Sequence, residues 1–107
     1  MLLLGIDLGS SSVKASVIDG ESGNCLASAF YPKDEMKIIA KKPGWAEQDP
    51  DVFWQGVCQA CQEIWAMEGV DKDAIVGVGL TTQRSTLINL DKNQQPLRPA
   101  VVWLDQR

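Results

Sequence analysis

The stretch Gly5-Ile6-Asp7-Leu8-Gly9-Ser10-Ser11-Ser12-Val13-Lys14 holds the first residues whose types and spacing could do chemistry. Asp7 closes the apolar run Leu2 to Ile6, which has the character of a buried strand. A carboxylate in that place can hold a hydrated magnesium ion, because magnesium keeps several waters and takes few protein ligands. Gly9 permits a turn that most residues resist. Ser10, Ser11 and Ser12 bring backbone amides and hydroxyls to one edge of that turn, a surface suited to a polyanionic phosphate. Lys14 adds a mobile point charge. The parts read as a phosphate-handling hairpin with Asp7 as the metal residue. The same letters also serve a plain turn, in which Asp7 caps and Gly9 bends. No Gly-x-x-x-x-Gly-Lys loop and no Gly-x-Gly-x-x-Gly fingerprint opens a helix after the strand, so the site is neither a P-loop nor a dinucleotide turn.

The elements that must position these residues follow from periodicity. Leu2–Leu8 and Val13–Ile18 are predicted strands joined by the Gly9 turn. The run Asp19-Gly20-Glu21-Ser22-Gly23-Asn24 closes a second hairpin onto Cys25–Tyr31, which ends at Pro32. The opening is thus a three-stranded antiparallel meander. Lys33 to Gln48 reads as irregular, with Lys41, Lys42, Pro43 and Gly44 marking a loop. Asp49-Pro50-Asp51 starts a helix: Asp49 caps, Pro50 suits the first position and Asp51 favours the positive end of the dipole. The helix is predicted to reach Met67 or Glu68, with Gly69 ending it. Phe53, Val57, Ala60, Cys61 and Ile64 form its buried face. Trp54 and Trp65 are read as packing residues. Ala74–Thr82 is predicted as a central strand, Ser85–Leu90 as another and Val101–Leu104 as a last one, with a turn over Asp91–Pro96. This order implies an α/β sheet with an antiparallel edge.

Composition limits the functions. The chain has 107 residues, 45% of them hydrophobic, room for one compact domain with a core. A net charge of -4 disfavours an electrostatic grip on nucleic acid or an anionic membrane. No window approaches the roughly 20 apolar residues of a membrane span. Met1-Leu2-Leu3-Leu4 lacks a basic lead and runs into the Asp7 turn, so it reads as strand and not as a signal peptide. The three cysteines, Cys25, Cys58 and Cys61, imply reduced thiols and a cytoplasmic setting. Cys58-x-x-Cys61 lacks a second half-site for zinc and lies mid-helix, so it reads as small core residues. The chain has no histidine, which excludes histidine-based triads within it.

Four segments together resemble the FGGY family of carbohydrate kinases, which includes glycerol kinase, xylulokinase and gluconokinase. They are Gly5 to Lys14, then Gly44-Trp45-Ala46-Glu47-Gln48-Asp49-Pro50, then Gly77-Val78-Gly79-Leu80-Thr81-Thr82-Gln83-Arg84, then Leu97-Arg98-Pro99-Ala100-Val101-Val102-Trp103-Leu104-Asp105-Gln106-Arg107. The resemblance implies a ribonuclease H-like fold, shared with actin and hexokinase, in which two domains close over ATP and a sugar. It makes residues 1–107 a partial N-terminal domain, without the rest of that domain, the second domain or the aspartate that acts as general base. It implies ATP and Mg2+ as cofactors and a sugar or polyol as substrate, with a homo-oligomer possible for the full-length protein. It places Asp7 near magnesium and the transferred phosphate. Gly9, Ser10, Ser11, Ser12 and Lys14 then contact the nucleotide phosphates, Lys14 standing where relatives often carry arginine.

Gln83 and Arg84 resemble the glycerol kinase pair whose arginine binds polyol hydroxyls, although Ser85 replaces the acid that follows there. Xylulokinases carry Gln-Met-His at this place, so neither substrate pattern is complete. Trp103 resembles a tryptophan that stacks on the sugar, with core packing as the other reading. Asp105 and Arg107 either bond sugar hydroxyls or bond each other. The segment around Trp45 and Glu47 is expected to organise the site without touching substrate. Two alternatives accompany this expectation: a catalytically inactive fragment or sugar-binding remnant, and an actin-like ATPase that does not act on sugars.

Overall fold

The computed structural model describes residues 1–107. Its elements are β1 (Leu2–Leu8), β2 (Val13–Asp19), β3 (Cys25–Tyr31), β4 (Glu47–Gln48), α1 (Pro50–Trp65), a single 3-10 turn (Lys72–Ala74), β5 (Ile75–Thr82) and β6 (Ala100–Val101). The main sheet has the order β3-β2-β1-β5, and β4 and β6 form a small second sheet. β1 to β3 pair antiparallel, as the two hairpins predict, and β5 lies parallel to β1.

Alternation in β2 decides which face is covered. Val13, Ala15 and Val17 are fully buried while Lys14 between them is exposed. Helix α1 packs on that buried face, against β2 and β3. One core cluster joins Leu4, Ala15, Val17, Ala27 and Ala29 to Ala60 and Ile64 of the helix. A second joins Val13, Met36 and Phe53 to Ala100. The helix starts as its sequence requires: the Asp49 side chain accepts from the Asp51 amide at 3.0 Å, and Pro50 occupies the first position. Gly56 faces β2 so closely that a Cβ there would sit 2.5 Å from Cγ2 of Val13. Small residues at positions 56 and 60 let helix and sheet approach.

Several expectations are corrected. The helix ends at Trp65, short of Met67, because the chain tightens into a turn in which the Met67 amide bonds the Ile64 carbonyl at 3.0 Å. Ser85–Leu90 is no strand; only Leu87 and Leu90 make single bridges, to Val101 and Pro96. Ser85 sits at φ 59, which turns the chain out of the extended conformation. The last strand stops at Val101, and Val102 to Asp105 forms a turn closed by the Asp105 amide on the Val102 carbonyl at 2.9 Å. The expected loop before α1 contains β4, which pairs with β6 through Glu47↔Val101 and Gln48↔Ala100. β5 is an edge strand of this sheet and not a central one, with Val76, Val78 and Leu80 exposed. Trp54 is 70% exposed, whereas Trp65 does pack against the core. The cysteines are free, and Cys58 and Cys61 are half-buried. Burial, and then the neighbouring Cys58, push the Cys61 thiol above its ordinary value, as suits a packing residue.

Candidate functional site

The phosphate-handling residues gather at one end of the main sheet. β1 and β5 run parallel, so their carboxyl ends meet there, beside the turn that leads into β2. Crevices at the carboxyl ends of parallel strands are common ligand sites. The register sets Asp7 beside Lys14 on β2 and beside Thr81 on β5. These residues border an open groove of about 430 Å³ whose floor includes Gly5 and Gly79. Asp7 is exposed and takes part in none of the ion pairs, although Lys14 stands opposite it.

The turn between β1 and β2 is polarised. The Gly9 amide donates to the Ser12 carbonyl at 3.0 Å, the Met36 amide to the Ser11 carbonyl at 2.8 Å, and Nε2 of Gln48 to the Ser10 carbonyl at 2.7 Å. All three serine carbonyls are thereby held by the protein. The amides of Ser10, Ser11 and Ser12 donate to no protein backbone acceptor. Such a turn offers N–H groups to an anion. A side chain at position 9 would crowd it, since a Cβ would lie 3.1 Å from the Ser12 carbonyl oxygen.

The donor set fits magnesium of one kind. No group of three or more His, Cys, Asp or Glu side chains could cage a metal. A single exposed carboxylate beside a phosphate-binding turn suits an ion that keeps most of its water and bridges to phosphate.

Gln83 and Arg84 leave β5 at the same end, the Gln83 amide donating to the Leu8 carbonyl at 2.8 Å. Both polar atoms of the Gln83 side chain are buried without a hydrogen-bond partner, as is Oγ1 of Thr86. A buried primary amide left unpaired is costly, and native proteins rarely retain one without a use. Arg84 is exposed and forms no ion pair.

Trp103 and Asp105 sit apart, on the turn after β6, and their environments differ. Trp103 is 56% exposed among these residues. Asp105 has a side chain only 2% exposed. It accepts from the Ala46 amide at 2.8 Å and from Nε of Arg107 at 3.0 Å. Burial pushes its carboxyl upward, but the Ala46 amide and Arg107 outweigh that and hold it at about 2. Asp105 and Arg107 are bonded to each other.

Glu47, Arg98 and Trp45 complete this cluster. Oε2 of Glu47 accepts from Arg98 at 2.6 Å and from Arg107 at 3.0 Å. The Arg98 and then the Arg107 hydrogen bonds hold the Glu47 carboxyl below its ordinary range, against burial. The Arg107 guanidinium also stacks over Trp45, 3.8 Å from the ring centre. Arg98 and Gln48 had no assigned role. Gln48 carried one signal, an amide beside the acid Glu47 directly before the helix cap, and Arg98 carried none beyond its charge.

Comparison with known proteins identifies the fold and the family. The glycerol kinase of Rhizobium meliloti (strain 1021) is 34% identical over 106 residues, which are 98% of this chain and 20% of that protein. A crystal structure of a xyloylose kinase from Brucella ovis superposes with a TM-score of 0.90 at 36% identity, covering 100% of this chain and 22% of that one. Glycerol kinase of Plasmodium falciparum, solved with ADP, superposes with a TM-score of 0.79 at 31% identity over 99% of this chain and 21% of that one. The chain therefore spans about a fifth of the length of these relatives. The strand order and flanking helix are those of the actin-like ATPase fold that these kinases share. Residues 2–107 match the N-terminal domain of one family throughout, and the chain belongs to the FGGY family of carbohydrate kinases.

Proposed function

We propose that residues 1–107 are the opening part of the N-terminal domain of a kinase that transfers the γ-phosphate of ATP to a hydroxyl of a sugar or polyol. The observation that carries this reading is the polarised turn beside Asp7, with its serine carbonyls held and its amides turned to no protein acceptor. In this proposal Ser10, Ser11 and Ser12 bind the phosphates through backbone and hydroxyl groups, Gly9 keeps the turn open, and Lys14 adds charge. Asp7 would hold Mg2+, which when bound would supply positive charge to neutralise the transferring phosphate.

The acceptor is bound by Gln83, whose amide is buried and unpaired, by Arg84, and by the exposed ring of Trp103, which covers an apolar sugar face. Asp105 acts from behind, holding the Trp103 turn, since its carboxylate is committed to Ala46 and Arg107. The general base is supplied from beyond these residues, and the 107-residue polypeptide alone turns over no substrate. The acceptor class includes glycerol and xylulose, by analogy with the named relatives.

The test is a coupled ATP assay on the full-length protein with glycerol, xylulose and gluconate as first acceptors. Phosphorylation of at least one polyol or sugar is expected. Asp7→Asn should lower kcat by about a hundredfold or more while acceptor KM changes little, because the carboxylate acts on charge at the phosphate. ATP hydrolysis that no acceptor stimulates would favour an actin-like ATPase instead, and an unchanged kcat would remove Asp7 from the mechanism.

A further inference from the structure

Glu47 and Gln48 are the only polar or charged residues among the buried set, at 3% and 1% exposure. Burying such groups is unfavourable unless their partners are supplied. Their partners lie in opposite parts of the candidate site. Gln48 reaches the phosphate turn, where its Nε2 holds the Ser10 carbonyl at 2.7 Å while its Oε1 is buried without a partner. Glu47 reaches the acceptor side, where Oε2 holds Arg107 at 3.0 Å. Arg107 in turn holds Asp105 at 2.8 Å, and Asp105 closes the turn that carries Trp103. Successive strand residues point to opposite faces, so a two-residue strand is the shortest element able to hold both partners at once. Pairing with Val101 and Ala100 fixes β4 itself.

We infer that the Glu47–Gln48 pair is a positioning device that sets the phosphate turn and the Trp103 turn in register with each other. The inference rests on the proposed function and deepens it. Neither residue touches substrate. Phosphoryl transfer depends chiefly on alignment of donor and acceptor, so a brace joining the two halves bears directly on rate. The two residues carry separable duties, Gln48 for the nucleotide side and Glu47 for the acceptor side.

The test uses the full-length protein and two near-isosteric variants, Gln48→Met and Glu47→Gln. Gln48→Met keeps length and volume and loses the donor to Ser10. It should raise KM for ATP about fivefold to tenfold, with acceptor KM within about twofold. Glu47→Gln should do the reverse. Both should lower kcat. A merely structural role would lower the active fraction and leave both KM values unchanged; that result, or equal shifts of both KM values in each variant, overturns the inference.

Amide hydrogen exchange on the same proteins gives a readout independent of turnover. Gln48→Met should speed exchange at Gly9 and Met36, and Glu47→Gln at Ala46 and Asp105. If the parent phosphorylates no acceptor, the proposed function fails and the brace is judged on exchange alone. Acceleration confined to the stated turn in each variant then supports it, and unchanged protection in both refutes it.

Discussion

Asp7 and Asp105 are the same side chain in opposite circumstances, and the difference assigns their work. Asp7 is exposed, unpaired and beside a groove, available to a cation. Asp105 is buried and bonded to Ala46 and Arg107, so it stabilises the fold around Trp103. Its carboxyl is held at about 2 against an ordinary 3.8, so between these values the unfolded chain binds more protons than the folded one. The stability this contributes is complete above pH 3.8 and is lost as pH falls toward about 2. Glu47, lowered from 4.5, acts in the same direction. Asp105→Asn should therefore lower the urea midpoint at neutral pH and flatten its fall below pH 3.8. Parallel acid profiles for the variant and the parent would refute that assignment.

At the scale of elements, the sheet end and the helix start were legible because local chemistry specifies them. An apolar run and the turn residues around Gly9 and Asp19–Asn24 marked β1 to β3, and Asp49-Pro50 marked the start of α1. Packing decided how close the helix lies. With a Cβ at position 56 only 2.5 Å from Val13 Cγ2, Gly56→Ala must push α1 away from β2. Overpacking of this kind costs about 1–3 kcal/mol, which a urea titration of the full-length protein would read as a lower midpoint at unchanged slope. An unaltered midpoint would mean that α1 shifts freely, and that the second core cluster around Val13 and Phe53 is loosely held.

At the scale of the whole molecule, these residues do not close their own core. The radius of gyration is 15.9 Å, against about 13 Å for a compact domain of about 100 residues. The edge strand β5 exposes Val76, Val78 and Leu80 at 67%, 64% and 66%. An unpaired apolar edge is a template for association. Expressed by itself, the 107-residue polypeptide should elute in size exclusion above its 11.7 kDa mass, and Val78→Lys should shift it toward the monomer. A wild-type segment that stays monomeric by light scattering would show that the edge is protected by some other means. No helix is long and apolar enough to cross a membrane.

The sequence by itself determined the hairpins, the helix start, the Asp7 turn and the family, because each depends on residues close in the chain or on motifs read directly. Tertiary structure alone decided what those residues face. Ser85–Leu90 and Val102–Leu104 have the composition of strands, yet Ser85 at φ 59 and the Asp105 turn bend them away. β5 has the apolar character of a central strand, but hydrophobicity states that a partner is needed and not which segment supplies it. The bonds of Glu47 with Arg98 and Arg107, and of Gln48 with Ser10, span 51, 60 and 38 residues of sequence. No local pattern encodes such pairs; they arise when β4 and β6 meet and bring these side chains beside their partners.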